Sequence, residues 1–210
     1  HCNCSGKHAA MLAIAVHMGY PPAGYFRQDH PVQRLMLHEV SVFAGLPEDD
    51  IVIGVDGCGV PVFGLPLSAM ARAFATLASP DRLAATDTAR ADAARRICNA
   101  MRAYPHMVAG TGRFTTALMQ VAGDRLVAKS GAEGVYCVGI LGQGLGVAVK
   151  VEDGNARASA PVVVEALAQM GVLHAHHLEA LAGHHHPHVF NHRGEIVGNV
   201  IPDFKLRSDH

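Results

Sequence analysis

The chain has 210 residues, half of them hydrophobic and 17% charged, with a formal net charge of -1. This length supports a buried core and a single domain, and this composition excludes a disordered chain. The near-neutral charge argues against nucleic-acid binding, and the lack of a spanning apolar run argues against a membrane role.

The first element grows out of Cys2-Asn3-Cys4-Ser5-Gly6-Lys7-His8. Ser5 suits an N-cap, and the apolar run from Ala9 to Val16 predicts a buried helix over residues 7–17. Gly19, ahead of Pro21-Pro22, stops it. Cys4, Lys7 and His8 would then stand at a helix N-terminus, where the dipole favours thiolate over thiol. A second glycine-framed thiol, Asp56-Gly57-Cys58-Gly59, could complete a site with them. The alternative is that Cys4 and Cys58 are ordinary buried cysteines, since free Cys packs as a small hydrophobe.

Next, Pro31 suits a first helical turn and Gly45 a C′ position, which predicts a helix between them. Ile51 to Val55 reads as a β-branched strand ending at the Asp56–Gly59 turn, and Val60, Val62, Phe63 and Leu65 extend it. Residues 66–78 are helical, with Leu67, Met70, Ala71, Phe74 and Leu77 on one face. Thr86 or Asp87 caps a further helix through Met101. Residues 105–113 read as a glycine-rich loop, and 114–121 as a short helix.

Arg125 to Gly134 leads into two strands, 135–140 and 145–151, joined by Gly142-Gln143-Gly144. Lys129-Ser130-Gly131 ahead of a strand is similar to the Lys-Thr-Gly element of active-site-serine enzymes, though a solvated turn is the plainer reading. Asp153-Gly154-Asn155 reads as a hairpin turn, and 160–171 as an amphipathic helix. The tail carries His174, His176, His177, His184, His185, His186 and His188. Such density suits a transition metal, but no Cys or carboxylate is arranged to finish a site, so it reads as an exposed surface segment. A last strand spans 196–201.

Five cysteines, an odd number without a disulfide-framework spacing, fit reduced thiols in a cytoplasmic protein. The chain starts at His1 without a signal peptide, so the expectation is a processed or partial chain.

Five motifs occur in order: Asn3-Cys4-Ser5-Gly6-Lys7-His8, Asp56-Gly57-Cys58-Gly59-Val60-Pro61, Gly110-Thr111-Gly112-Arg113-Phe114, residues 129–137 and Gly198-Asn199-Val200. Together they resemble the thermolabile, Rhizobium-type L-asparaginases, the asparaginase II family. The resemblance implies an α/β (α+β) fold similar to serine β-lactamases and glutaminases, with an antiparallel sheet flanked by helices. It implies hydrolysis of L-asparagine to L-aspartate and ammonia. It also implies a zinc (Zn2+) site at Cys4, Lys7 and Cys58, with Asp56 and His8 close by as substrate-binding groups. Lys129 would belong to the catalytic serine–lysine pairs. A homodimer acting on this small substrate, without nucleic acid or membrane, is expected.

Lysine ligates a metal only when deprotonated, and a helix N-terminus with a nearby cation would push its pKa down. Two thiolates and an amine would leave an open zinc position. Cys2, where the family pattern carries a polar residue, could compete for metal or oxidise onto Cys4. The family's nucleophile sits in a Ser-x-x-Lys motif, and no serine here precedes a lysine by three positions. The chain is therefore expected to be one asparaginase-like domain, 1–210, lacking its N-terminal part. The competing reading is a non-catalytic zinc-binding remnant or interaction domain.

Overall fold

The computed structural model describes residues 4–207, so Cys2 lies outside the described residues. The chain divides into two compact units, one ending at Ala73 and the other beginning at Phe74. Among the described residues no helix is long and apolar enough to cross a membrane.

The first unit holds α1 (Ser5–His17), α2 (Pro31–Ala44), β1 (Val52–Val55) and β2 (Pro61–Gly64), and ends within α3 (Leu67–Ala78). As expected, Pro31 opens α2 and Gly45 ends it in the left-handed region, at φ 63°. The cap of α2 is His30, whose Nδ1 accepts the Val32 N–H at 3.2 Å. β1 and β2 pair antiparallel, with Val55 opposite Pro61 at the closed end. Their turn is fixed by two backbone bonds. The Asp56 N–H donates to the Val60 carbonyl at 2.9 Å, and the Gly59 N–H to the Asp56 carbonyl at 2.8 Å. Gly59 sits at φ 89°, where a side chain would be strained. Met11, Ala15, Val32 and Val60 form the core of this unit, with Tyr25 and Cys58 packed against it.

Two expectations for α1 are corrected. Ser5 is not the cap: the helix starts at Ser5, and Cys4 takes the cap position with helical dihedrals and no side-chain cap bond. Nor is the helix buried all round: only Met11 and Ala15 are buried, while Val16 is exposed.

The second unit carries α4 (Asp81–Ala84), α5 (Thr88–Ala103), α6 (Pro105–Ala109) and α7 (Phe114–Ala122). After these come β3 (Leu126–Ser130), β4 (Val135–Ile140), β5 (Leu145–Lys150), α8 (Ser159–Gln169), α9 (Ala175–Ala180) and α10 (Ala182–His185). β6 (His188–Phe190) and β7 (Ile196–Asn199) close the order as an antiparallel pair. β3, β4 and β5 make an antiparallel sheet in sequence order. Period-two alternation sends Leu126, Ala128, Tyr136, Val138 and Ile140 into a core with Leu118, Val163, Val164 and Leu167. Each such fully buried aliphatic side chain contributes about 1.5–3 kcal/mol. Val127 points to the other face, against Ala78 and Cys98. There α3 lies so close to β4 that a Cβ on Gly139 would fall 2.3 Å from the Phe74 carbonyl oxygen. The expected antiparallel sheet flanked by helices is present, among the described residues as three small sheets among helices.

Asp87 is the cap of α5, accepting the Arg90 N–H at 2.8 Å. Residues 105–109, read as loop, form α6 with Pro105 at the first helical position, where its missing N–H costs nothing. Asp153-Gly154-Asn155 is a turn but not a hairpin, because a 3-10 turn and α8 follow it. The histidine tail is not wholly surface: it forms α9 and α10, and His177 and His185 are buried.

Candidate metal centre

Two local structures build the site, both in the first unit. The N-terminal end of α1 presents Cys4, Lys7 and His8, and the β1–β2 turn presents Asp56 and Cys58. One donor atom each from Cys4, Asp56 and Cys58 lie within 4.8 Å of one another, close enough to hold a metal ion. This is the only such group of histidine, cysteine and acidic side chains among the described residues, so the histidine tail gathers none. Neither thiol is fully buried, in contrast to Cys98 and Cys137. Burial pushes the Cys137 thiol up to about 11, so it stays inert at neutral pH.

Asp56 is the hub. Its Oδ2 accepts from the Cys58 thiol at 3.3 Å and from the Lys7 ammonium at 3.2 Å, while Oδ1 accepts the Gly57 N–H at 2.8 Å. The Cys58, Lys7 and Gly57 donors hold its carboxyl below the usual range. The expected depression of the Lys7 pKa does not occur. Desolvation pulls it down, but hydrogen bonds to Asp56 and Cys58 outweigh that and raise it. In this geometry Lys7 is an ammonium ion paired with Asp56 rather than a free amine.

His8 is half-buried, with its Nδ1 2.6 Å from the Tyr25 hydroxyl and the two rings at right angles. The Tyr25 carbonyl in turn accepts from the buried Gln33 amide at 2.8 Å. Sequence reasoning missed Tyr25 because no spacing pattern links it to His8. It also gave Asp56 to substrate alone, whereas the turn brings its carboxylate within 4.8 Å of both thiols and into contact with the lysine.

Lys129 belongs to the second unit, at an exposed position near the end of β3, on the Val127 face. Its ammonium donates to the Ser130 carbonyl at 2.6 Å.

A family model described as L-asparaginase II matches residues 1–202 of the chain. No curated protein matches it at a significant level.

Proposed function

The chain belongs to the L-asparaginase II family, and from that premise we propose that it serves the hydrolysis of L-asparagine to L-aspartate and ammonia through a zinc-assisted serine–lysine site. The supporting observation is the convergence of the Cys4–His8 and Asp56–Cys58 motifs, distant in sequence, on one set of donor atoms. Two cysteine thiols with hard and nitrogen donors nearby are a donor set that zinc accepts well. In this proposal Cys4, Lys7 and Cys58 hold the zinc, with Asp56 within reach as a further donor. Lys7 must first lose its proton, which Asp56 now helps it keep. Zinc bound there would supply a Lewis acid that orients or polarises a substrate oxygen.

The chain's own groups supply the rest. Asp56 offers a carboxylate to the substrate ammonium, and His8, its ring fixed by Tyr25, offers a ring nitrogen to a substrate oxygen. Lys129, once deprotonated, would take the proton of a serine as its oxygen adds to the side-chain amide carbon. The carbon–nitrogen bond then breaks, ammonia leaves with the proton, and water hydrolyses the ester to aspartate. The serine is proposed to come from a segment outside these residues, because none of the 210 forms Ser-x-x-Lys. That same observation favours a second reading, a metal-holding chain without hydrolysis.

Ammonia release from L-asparagine decides between them, measured on this chain and on a longer chain carrying a Ser-x-x-Lys segment. The proposal expects turnover in the longer chain, lost in its Lys129→Met variant, and little in the short one. Equal turnover in both places the nucleophile within these residues. Turnover in neither supports the second reading.

A further inference from the structure

A cleft of about 470 Å³ opens in the second unit between α5 and α7. It is lined by Asn99, Arg102, Pro105, His106, Met119 and Gln120, with Ala103 and Gly123 completing the wall. Its size falls within the range of small-ligand sites. Its charge is one-sided, since Arg102 is a fixed cation and no carboxylate lines the wall.

Arg102 is the charged group of the cleft. It is half-buried, and its Nε is closed to solvent with no hydrogen-bond partner. The one contact of its guanidinium among the described side chains is a 3.3 Å bond from Nη1 to the Asn99 amide oxygen, a neutral group. No ion pair to it occurs among the described residues, although Arg90, Arg95 and Arg157 all find carboxylates. A half-buried guanidinium without a counter-ion keeps donors to spare, and a planar oxyanion is the partner its fork fits. The Cys98 thiol lies one turn earlier on α5. Burial pushes its pKa up while the Arg102 charge opposes the rise.

We propose that this cleft is a binding site for a small oxyanion, carboxylate or phosphate, held by the Arg102 guanidinium with His106, Asn99 and Gln120 as further donors. A bidentate anion on Nη1 and Nη2 replaces the weak Asn99 contact with two charge-assisted bonds. Pro105 and Met119 give the anion's carbon body an apolar wall. None of the lining residues is among those proposed above for the metal, the substrate or the proton transfer.

Two titrations test it on the full chain, one with inorganic phosphate and one with sodium acetate. The readout is the Arg102 Nε–Hε resonance in a ¹⁵N spectrum, assigned by its loss in Arg102→Gln. Saturable movement with phosphate alone identifies a phosphate site, and with acetate alone a carboxylate site. Movement with both confirms the shared oxyanion chemistry. Arg102→Lys, which keeps the charge but loses the fork, is read from the side-chain amide resonances of Asn99 and Gln120 and should bind at least about tenfold more weakly. Should Arg102→Gln fail to fold, the loss of the resonance in Arg102→Lys assigns it, and Gln120→Ala, which removes a proposed donor, should weaken binding about threefold or more. An Nε–Hε resonance unmoved by either anion up to about 10 mM overturns the proposal. So does equal affinity in the Arg102→Lys chain.

Discussion

The Lys7 ammonium and the Asp56 carboxylate stand 3.2 Å apart, joining the first turn of α1 to the β1–β2 turn. Both side chains keep more than a third of their surface in water, so the pair itself contributes little to stability, about 1 kcal/mol at most. Its weight is in positioning, because Asp56 also holds the Cys58 thiol. Asp56→Asn removes the charge and keeps an oxygen for the Gly57 N–H. We expect this variant to fold normally by circular dichroism and to lose about tenfold or more in zinc affinity, measured against a competing chelator. An unchanged affinity would remove Asp56 from the site.

Gly139 is where α3 meets the sheet. A methyl group there would lie 2.3 Å from the Phe74 carbonyl oxygen and 2.8 Å from the Ala78 Cβ. Backbone cannot yield as a flexible side chain does, so Gly139→Ala should destabilise the second unit by about 1–3 kcal/mol or more. Urea unfolding monitored in that unit measures it, and an unchanged midpoint would mean that α3 does not pack as described.

Acid should loosen the region of α8, α9 and α10. The buried His177 accepts the His174 N–H on Nδ1 at 2.9 Å, which requires an unprotonated nitrogen. Burial, and then the charges of His176, Arg125 and His174, hold its pKa below the ordinary 6.5. A depressed folded pKa means that the unfolded chain binds the proton more readily. The stabilisation is therefore complete above pH 6.5 and lost as pH falls through the folded value. Glu165 has the same sign at lower pH. The Gln169 amide, and then the His185 ring at 2.8 Å, hold it below 4.5, so its contribution fades as pH falls beneath that value. The urea midpoint should drop between pH 7 and pH 5, and drop less in His177→Asn, which keeps an acceptor without the titration. Equal slopes in both chains would show that His177 carries none of the effect.

What the sequence made legible was local chemistry. Asp87 caps α5, Pro31 and Gly45 bracket α2, and the 135–150 hairpin turns at its glycines, all through interactions within a few residues. Tertiary burial was not legible in this way. The apolar run of α1 reads as buried, yet Val16 faces solvent, while His177 and His185 read as surface and are buried. Pro105 was read with the glycines after it as loop, although its own preference for a first helical turn prevailed. The candidate site was half legible. Cys4 and Cys58 stand out by their glycine frames, but the place of Asp56 beside them depends on a turn that needs Gly59 at positive φ. The pairing of His8 with Tyr25 depends on a loop path that no spacing rule encodes.

The most direct test of the metal centre is the metal content of the purified chain, read by elemental analysis after removal of any affinity tag. The account predicts about one zinc per chain, lost in the Cys4→Ser/Cys58→Ser double variant with the helical content unchanged. Equal zinc in the two proteins would contradict it and place the metal elsewhere, with the histidines of residues 174–188 as the first alternative.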